Sequence, residues 1–168
     1  MKYTHVKSAM VAMAALALVF VSVPKSAFAS SATTTIAVST TVTNTCTLTA
    51  GSLTFTAYTG VVDNTTGTFT VKCTNNGDYT IALDKGTGTG ASITTRQMMF
   101  GTYSLGYTIY TANTYSGTIW GDGTSSTGTV TGVGTGTNQT ISVYGQIPAG
   151  EAAISGTYTD TITATVTY

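Results

Sequence analysis

Residues that could carry out catalysis are scarce in this sequence. Beyond residue 29 it contains no histidine, so neither a Ser/His/Asp triad nor a Cys/His pair can be assembled. Asp122 and Glu151 would have to supply the carboxylate pair of a glycoside hydrolase, but neither lies in a supporting motif. Asp63 and Asp122 stand instead beside Asn or Gly, where Asp commonly serves turn geometry. We predict a protein that is not an enzyme and takes no small-molecule substrate.

The N-terminus has the pattern of a signal peptide. A short basic opening, "MKYTHVK", precedes the apolar run "AMVAMAALALVFVSV", and Ala27-Phe28-Ala29 supplies the small-x-small pattern of a cleavage site. The apolar run is shorter than the roughly 20 residues that span a bilayer. We predict cleavage after residue 29, export to the periplasm and a mature chain of residues 30–168. A retained N-terminal anchor is the alternative.

Cys46 and Cys73 are the only cysteines of the chain. Because an exported protein folds in an oxidising compartment, we predict a disulfide bond between them. In the chain-entropy model, closing that loop stabilises the fold by about 3.5 kcal/mol. Zinc binding is the alternative, but two thiols without a histidine supply half of a zinc site, and no loop has EF-hand spacing for calcium. We expect no metal and no cofactor.

The mature part carries little charge. Three basic residues, Lys72, Lys85 and Arg96, stand against six acidic ones, which gives a net charge of −3. Affinity for nucleic acid comes mainly from Lys and Arg that neutralise phosphates, and anionic membranes attract the same side chains. We therefore expect neither nucleic acid nor an anionic membrane surface as a partner.

Apolar residues recur at every second position along the mature chain, which is the pattern of half-buried strands. Turns rich in Gly, Asn and Asp separate these segments, and "DNTTG" (residues 63–67) is predicted to be one such turn. The strand-like stretches are "SLTFTAY", "TFTVKC", "YTIALD", "RQMMF", "YSLGYTIYT", "QTISVYGQI" and "GTYTDTITATVTY". No stretch has helical periodicity. The sequence predicts a single all-β domain, an antiparallel sandwich.

Trp120, the only tryptophan, precedes the Gly-rich loop "GDGTSSTG". Its ring would suit stacking on a sugar, but a residue that pins the loop against the sandwich is the preferred interpretation. Residues 98–100 are interpreted as core residues. Four tyrosines are interpreted as strand aromatics with cross-strand partners: Tyr103, Tyr107, Tyr110 and Tyr115.

Both ends of the mature chain are strand-like. Residues 33–42 alternate apolar and polar side chains upstream of Cys46, and Thr157–Tyr168 is one of the longest predicted strands. No later strand covers the edge of this last strand, and after Asp160 it has neither charge nor proline to prevent edge-to-edge pairing. Strand addition between molecules would satisfy both ends and, being head-to-tail, would build an open filament. Alternatively, residues 33–50 form one long first strand or switch sheets within their own domain.

The ordered set of motifs resembles the spore coat protein U domain family, the subunit family of archaic chaperone–usher pili. The resemblance covers most of the mature chain and runs from the N-terminal alternating strand through "CTLTAGSLTF", "GTFTVKCT", "YTIALDKG", "YTIYT", "WGDGTSSTG", "YGQIPAG" and "GTYTDTITATVTY". It implies an incomplete immunoglobulin-like antiparallel β-sandwich that lacks its last strand and is completed by donor-strand complementation.

The resemblance also implies partners and sites. A periplasmic chaperone would lend a strand to the sandwich, and an outer-membrane usher would exchange it for the N-terminal extension of the next identical or related pilin subunit. The chain would consist of a signal peptide (1–29), a donor-strand extension (30–43) and a β-sandwich domain (44–168). The implied donor positions are Ile36, Val38, Thr40 and Val42. The implied edge of the acceptor groove includes Ile162, Ala164, Val166 and Tyr168.

The function that the resemblance implies is structural. The protein would be a subunit of a secreted, head-to-tail polymerising surface filament that supports adhesion and biofilm formation. A single domain with its own donor-like extension favours a shaft subunit. The alternatives are a surface adhesin or tip binding module, and a spore-coat structural protein.

Overall fold

The structure, a computed structural model, describes residues 28–168. The predicted signal peptide lies outside the described residues except for its last two. The chain divides between Ser39 and Thr40 into two units, and residues 28–39 of the first unit form no strand. The second unit contains eight strands: β1 (Cys46–Ala50), β2 (Asp63–Cys73), β3 (Asp78–Leu83), β4 (Arg96–Phe100), β5 (Tyr103–Tyr110), β6 (Val130–Val133), β7 (Gln139–Ile147) and β8 (Ala164–Thr167). Residues 28–168 contain no helix.

The strands form two antiparallel sheets. One has five strands in the order β1-β2-β7-β5-β4, and the other has three in the order β6-β3-β8. The longest ladder joins β2 and β7, from Asp63 opposite Ile147 to Val71 opposite Gln139. Every strand pair is antiparallel. The predicted all-β antiparallel sandwich is confirmed.

The core lies where the period-2 alternation placed it. In β3 the side chains of Tyr79, Ile81 and Leu83 are buried while the residues between them are more exposed. Each fully buried aliphatic side chain of this kind contributes about 1.5–3 kcal/mol of hydrophobic stabilisation. The remaining buried members of the core cluster are Val71, Cys73, Leu105, Tyr107, Ile109, Trp120, Val143 and Ile147.

The predicted disulfide bond between Cys46 and Cys73 is confirmed. The two residues are directly opposite each other in the β1–β2 ladder, and both contribute to the inner face. Directly opposed residues in an antiparallel pair have neighbouring Cβ atoms, so the ladder register itself brings the two sulfur atoms into bonding range. The bond ties the first strand covalently to β2.

The prediction that residues 63–67 form a turn is wrong, because they begin β2. Asp63 and Asn64 pair with the end of β7, and the Asn64 side chain accepts a hydrogen bond of 2.9 Å from the Gln146 amide. Asp63 has no role in a turn either, because it is the first residue of β2. Its carboxylate accepts a hydrogen bond from the Thr56 hydroxyl. Asn, Asp and Gly favour turns locally, but the ladder with β7 satisfies the same backbone groups and overrides that preference.

Two predicted strands lack ladders over much of their length. "SLTFTAY" belongs to no strand, and the C-terminal strand is shorter than predicted: only Ala164–Thr167 pair with β3. Between residues 151 and 163 the described chain has one isolated bridge, Met99 opposite Thr159. The alternation of apolar and polar residues that predicted these strands indicates which side chains face the core. A ladder of main-chain hydrogen bonds also requires a neighbouring backbone at the right distance.

The first strand begins at Cys46, and residues 28–45 are in no strand. The alternative that residues 33–50 form one long first strand is therefore wrong. The strand predicted over residues 33–42 does not form within the single chain.

Candidate functional site: a groove between residues 50–58 and 153–162

A groove of about 840 Å³ with an apolar floor lies beside the two segments that lack ladders. We call residues 50–58, which begin at the last residue of β1, the first bank, and residues 153–162, which precede β8, the second bank. The floor of the groove is formed by buried side chains from both sheets: Leu83, Leu105, Tyr107, Ile109, Val143 and Ile147.

Leu53 and Phe55 of the first bank pack against the core because β7 carries a glycine beneath them. A Cβ atom on Gly145 would lie 2.8 Å from Leu53 Cδ2 and 2.9 Å from Phe55 Cζ, so both side chains would have to shift to make room for it. The Phe55 ring meets the ring of Tyr107 edge-on, with 6.1 Å between their centroids. Glycine inside a strand commonly marks such a close approach.

Beyond Gly51, the main-chain N–H groups of the first bank lack hydrogen-bond partners among the described residues. The β1–β2 ladder ends at Ala50, and the Gly51 N–H then donates to the Thr68 carbonyl at 3.0 Å. From Ser52 to Thr59, no main-chain N–H group has a partner among the described residues. A row of free main-chain donors beside an apolar groove is the template for an added strand.

The second bank is bonded to the rest of the sandwich on one side. Thr159 and Met99 exchange two main-chain hydrogen bonds, and the Thr163 carbonyl accepts one from the Asp84 N–H. Along an antiparallel strand, residues that bond to one neighbour alternate with residues whose main-chain groups point the other way. The main chains of Tyr158, Asp160 and Ile162 make no backbone hydrogen bond to β3 or β4.

The two banks run in opposite directions. Five successive antiparallel pairings lead from β1 through β2, β7, β5 and β4 to the bridge at Thr159. Each antiparallel pairing reverses the chain direction. Because five is an odd number, the second bank, which contains Thr159, runs antiparallel to β1 and to the first bank that continues it. A strand laid in the groove would therefore run antiparallel to one bank and parallel to the other.

Asp160 fixes the second bank to the body of the domain. Its Oδ1 atom accepts hydrogen bonds from the Thr87 N–H (2.8 Å), the Thr87 hydroxyl (2.9 Å) and the Thr161 N–H (2.7 Å). Its Oδ2 atom accepts one from the Tyr107 hydroxyl at 2.6 Å. Burial of Tyr107, together with this hydrogen bond, raises the pKa of the tyrosine well above its usual range, so Tyr107 remains a neutral donor.

Arg96 and Trp120 form a buried polar layer. The Arg96 guanidinium donates to the carbonyls of Asp84 and Trp120, and its burial lowers the arginine pKa. The Trp120 indole N–H donates to the Ile81 carbonyl at 2.9 Å, and the side chain is completely buried. Stacking of Trp120 on a sugar is therefore wrong, and its interpretation as a residue packed against the sandwich is confirmed.

The residues predicted as the donor strand lie at the surface. The side chains of Ile36, Val38 and Val42 are 84%, 91% and 77% exposed, and Thr40 is exposed as well. Isolated exposed apolar residues are common on proteins, but three at alternate positions form an apolar edge on an extended chain. Their role as donors stays a prediction.

The residues predicted as the groove edge occupy different places. Ile162 lines the groove, whereas Ala164 and Val166 lie in β8, half-buried against the core. Tyr168 follows β8 and is exposed. The role of these four residues as an acceptor edge stays a prediction.

The sequence analysis missed the first bank as part of a site. Leu53, Phe55 and Tyr58 were interpreted as members of an ordinary strand, yet they line the groove. The available signal was the pair of glycines inside the otherwise β-branched strands β2 and β7, Gly67 and Gly145, both of which lie against Leu53.

The carboxylates considered for catalysis have structural partners. Asp122 accepts hydrogen bonds from the N–H and the hydroxyl of Thr124, which lower its pKa, in agreement with the predicted turn role. Glu151 accepts a hydrogen bond of 3.0 Å from the Gly106 N–H. Within residues 28–168 there is no cluster of three or more His, Cys, Asp or Glu residues suited to a metal ion. The same residues include no helix that is long and apolar enough to cross a membrane.

A two-sheet antiparallel sandwich with an open apolar groove beside its last strand is an incomplete β-sandwich. The chain belongs to the Spore Coat Protein U domain family, whose model matches residues 32–165. The resemblance inferred from the sequence motifs is thereby confirmed. The chain is also 33% identical, over 132 residues, to Protein U of Myxococcus xanthus, a match that covers 70% of this chain and 72% of that protein.

Among solved structures, the fold is similar to a chain in the CsuC–CsuE chaperone–tip adhesion subunit pre-assembly complex from the archaic chaperone-usher Csu pili of Acinetobacter baumannii. The TM-score is 0.56 at 24% sequence identity, and the match covers 76% of this chain and 41% of that chain. The protein thus spans about two fifths of the matched chain. The predicted immunoglobulin-like class of fold is confirmed.

Proposed function

We propose that the protein is a structural subunit of a secreted, head-to-tail polymerising surface filament, an archaic chaperone–usher pilus assembled by donor-strand exchange. The observation that carries the proposal is the groove, with its apolar floor and the free main-chain donors of its first bank. The exposed alternating segment 36–42 supplies a strand of matching chemistry. Such a filament would support adhesion and biofilm formation.

Strand insertion would have to combine apolar burial with main-chain hydrogen bonds. Burying Ile36, Val38 and Val42 would contribute about 1.5–3 kcal/mol each. Ordering a seven-residue segment costs roughly 1–2 kcal/mol per residue, a loss of the same size as the gain from burial. Main-chain hydrogen bonds to the banks, worth about 1 kcal/mol each, would then provide the net affinity.

The geometry of the contact determines the shape of the assembly. The donor segment and the groove are different surfaces, so each copy would give a strand to one neighbour and receive a strand from another. A heterologous contact of this kind makes an open polymer unless its rotation closes a ring. Chain growth by repeated insertion is therefore the expected form of the assembly.

The proposed boundary between the extension (30–43) and the sandwich (44–168) is supported by hydrogen bonds to the domain that begin beside it, where the Thr43 carbonyl accepts one from the Thr74 hydroxyl at 3.4 Å. The Asn44 amide donates to the Asp78 carbonyl at 3.1 Å, and the Thr45 N–H donates to the Thr74 hydroxyl at 3.1 Å. A Cβ atom on Gly77 would collide with the Asn44 side chain, so that side chain packs closely on the turn. Cleavage of residues 1–29 as a signal peptide is part of the same proposal.

Assembly would need two further partners. An open apolar groove beside free main-chain groups invites aggregation, so a periplasmic chaperone would cover it before polymerisation. The similar Csu structure is itself a chaperone–subunit pre-assembly complex, which supports this step. An outer-membrane usher would then replace the chaperone with the extension of the next subunit. None of these roles requires a catalytic residue in the protein.

A spore-coat structural protein is the second candidate, favoured by the 33% identity to Protein U within the Spore Coat Protein U domain family. It would use the same groove and differ in where the polymer is deposited. Immunogold labelling of intact cells and of spores separates the two, because a pilus subunit labels filaments on growing cells.

The first prediction concerns deletion of residues 30–42 from the mature chain. The full-length mature protein is expected to form a ladder of multimers by size-exclusion chromatography and native electrophoresis. The deleted chain is expected to give monomers, chaperone complexes or amorphous aggregates, because it keeps a groove and has no strand to donate. Deletion of residues 30–33 alone is the matched control and should leave the ladder intact. A ladder of normal length from the 30–42 deletion would refute donor-strand exchange.

A further inference from the structure

Asp160 is the one charged side chain that lines the groove among the described residues. It is half-buried, and its four hydrogen bonds are unevenly shared: three to Oδ1 and one, from Tyr107, to Oδ2. A carboxylate oxygen accepts about two hydrogen bonds through its lone pairs. Oδ1 already exceeds this number, whereas Oδ2 uses one of its two lone pairs and keeps the other for a further donor.

A strand that occupies the groove removes water from this carboxylate. A buried acceptor that loses its water without gaining a donor is destabilising, and the loss is larger for an ionised group than for a neutral one. An aliphatic side chain over Asp160 would create this situation, whereas a hydroxyl group would donate to Oδ2. The groove thus prefers one polar residue at one defined position of an otherwise apolar strand.

The exposed segment 36–42 has this pattern. Its alternating face carries Ile36, Val38, Thr40 and Val42, so a single hydroxyl lies among three aliphatic side chains. A shift by one residue would bring Ser39 or Thr41 to Asp160, but it would also turn every aliphatic residue away from the groove. A shift by two residues would place a valine over the carboxylate.

We propose that Thr40 of one copy donates a hydrogen bond to Asp160 of the next copy and that this pair sets the register of the inserted strand. The inference rests on the proposed function and adds the residue-level specificity of its contact. When Thr40 lies opposite Asp160, its neighbours on the same face, Val38 and Val42, lie against Tyr158 and Ile162. The direction of the inserted strand decides which valine meets which of these two residues. Ile36 then lies past Val38 and opposite neither Tyr158 nor Ile162.

Engineered cysteine pairs in the full-length mature chain test the register. Polymers are oxidised, resolved on non-reducing gels and mapped by mass spectrometry. Val42→Cys combined with Tyr158→Cys or with Ile162→Cys is expected to give an intermolecular disulfide in one of the two combinations. Ile36→Cys with the same two partners is expected to give none, and the single-cysteine variants are the controls.

Each outcome of the cross-linking experiment decides the proposal. Cross-links from Ile36→Cys, or intact polymers with no cross-link from Val42→Cys, would overturn the register while leaving donor-strand exchange in place. Polymers that persist after deletion of residues 30–42 would instead refute the proposed function. The two failures are therefore distinguishable.

The second measurement addresses the hydrogen bond without altering the sandwich. Thr40→Val removes the hydroxyl at nearly constant volume and is expected to accelerate subunit dissociation from preformed polymers about tenfold. Thr40→Ser keeps a donor and is expected to dissociate at close to the unmodified rate. Thr41→Val, on the opposite face, is the matched control. Unchanged or slower dissociation of the Thr40→Val polymer would overturn the pairing.

Discussion

Gly145 lies opposite Thr65 in the β2–β7 ladder, and the space that its side chain would occupy is taken by Leu53 and Phe55. The absence of a Cβ atom at this position lets the side chains of the first bank pack closely on β7. Period-2 alternation placed position 145 on the inner face with Val143 and Ile147, but a pattern of side-chain types cannot say which neighbour fills the space left by a glycine. The contact becomes visible only when the strands are placed in register.

Gly145→Val is expected to destabilise the domain by about 1–3 kcal/mol, because the new side chain must displace Leu53 and Phe55 from the core. The measurement is the midpoint of denaturant unfolding, followed by fluorescence of the buried Trp120. Thr140→Val, an exposed position on the same strand, should change the free energy of unfolding by less than about 0.5 kcal/mol. Equal stability of the Gly145→Val variant would contradict the close packing of the first bank.

At the level of elements, the two banks differ from the eight strands in one respect: apart from Ala50 at the end of the β1–β2 ladder and the single bridge at Thr159, neither bank pairs with a strand. Their alternation is as regular as that of β3, so the sequence predicted "SLTFTAY" and Thr157–Tyr168 as ordinary strands. Which side chains face the core was therefore predictable from the sequence, since burial depends on local pattern. Which segments are paired was not, because pairing depends on a second backbone that comes from elsewhere in the chain, or from another molecule.

The error at residues 63–67 has the same origin. Local preference for a turn in "DNTTG" was overridden by a partner, the end of β7, that lies about eighty residues further along the chain. The cysteine pair was predictable because the compartment and the number of cysteines left few alternatives.

Amide hydrogen exchange tests the state of the first bank. In the chain before polymerisation, the amides of residues 52–59 are expected to exchange quickly, because they lack hydrogen-bond partners within the described domain. In polymers the same amides should become protected, while those of β3, already paired on both sides, should change little. Protection of residues 52–59 that is equal in monomer and polymer would show that the inserted strand does not pair with this bank.

For the whole molecule, the proposed function requires the exposed extension and the groove to be complementary surfaces on one chain. The acceptor surface could be recognised only in part from the sequence, since Ile162 was assigned to it and the first bank was not. A groove is defined by two segments and a floor, and its floor alone combines residues from three strands. Such an arrangement leaves no contiguous motif.

Ile36→Asp is expected to reduce polymer stability by about 3 kcal/mol, roughly a hundredfold in affinity, because insertion would bury an unpaired charge. Subunit dissociation in dilute denaturant, followed by native electrophoresis, measures the effect. Thr35→Asp adds the same charge on the opposite face of the extension and is the matched control. If both variants lose stability equally, the alternating face of the extension does not determine insertion.

The disulfide between Cys46 and Cys73 has a mechanical consequence. In a filament under tension, the pulling force would enter each subunit from its own extension, immediately before Asn44, and would act first on β1. A short terminal strand held by hydrogen bonds alone peels away one bond at a time. Here the load passes through the sulfur–sulfur bond into β2, the longest strand, and from there along its nine-residue register with β7. The bond would thus convert sequential peeling of a weak edge into shear of the strongest ladder, so reduced filaments should unravel at lower force than oxidised ones.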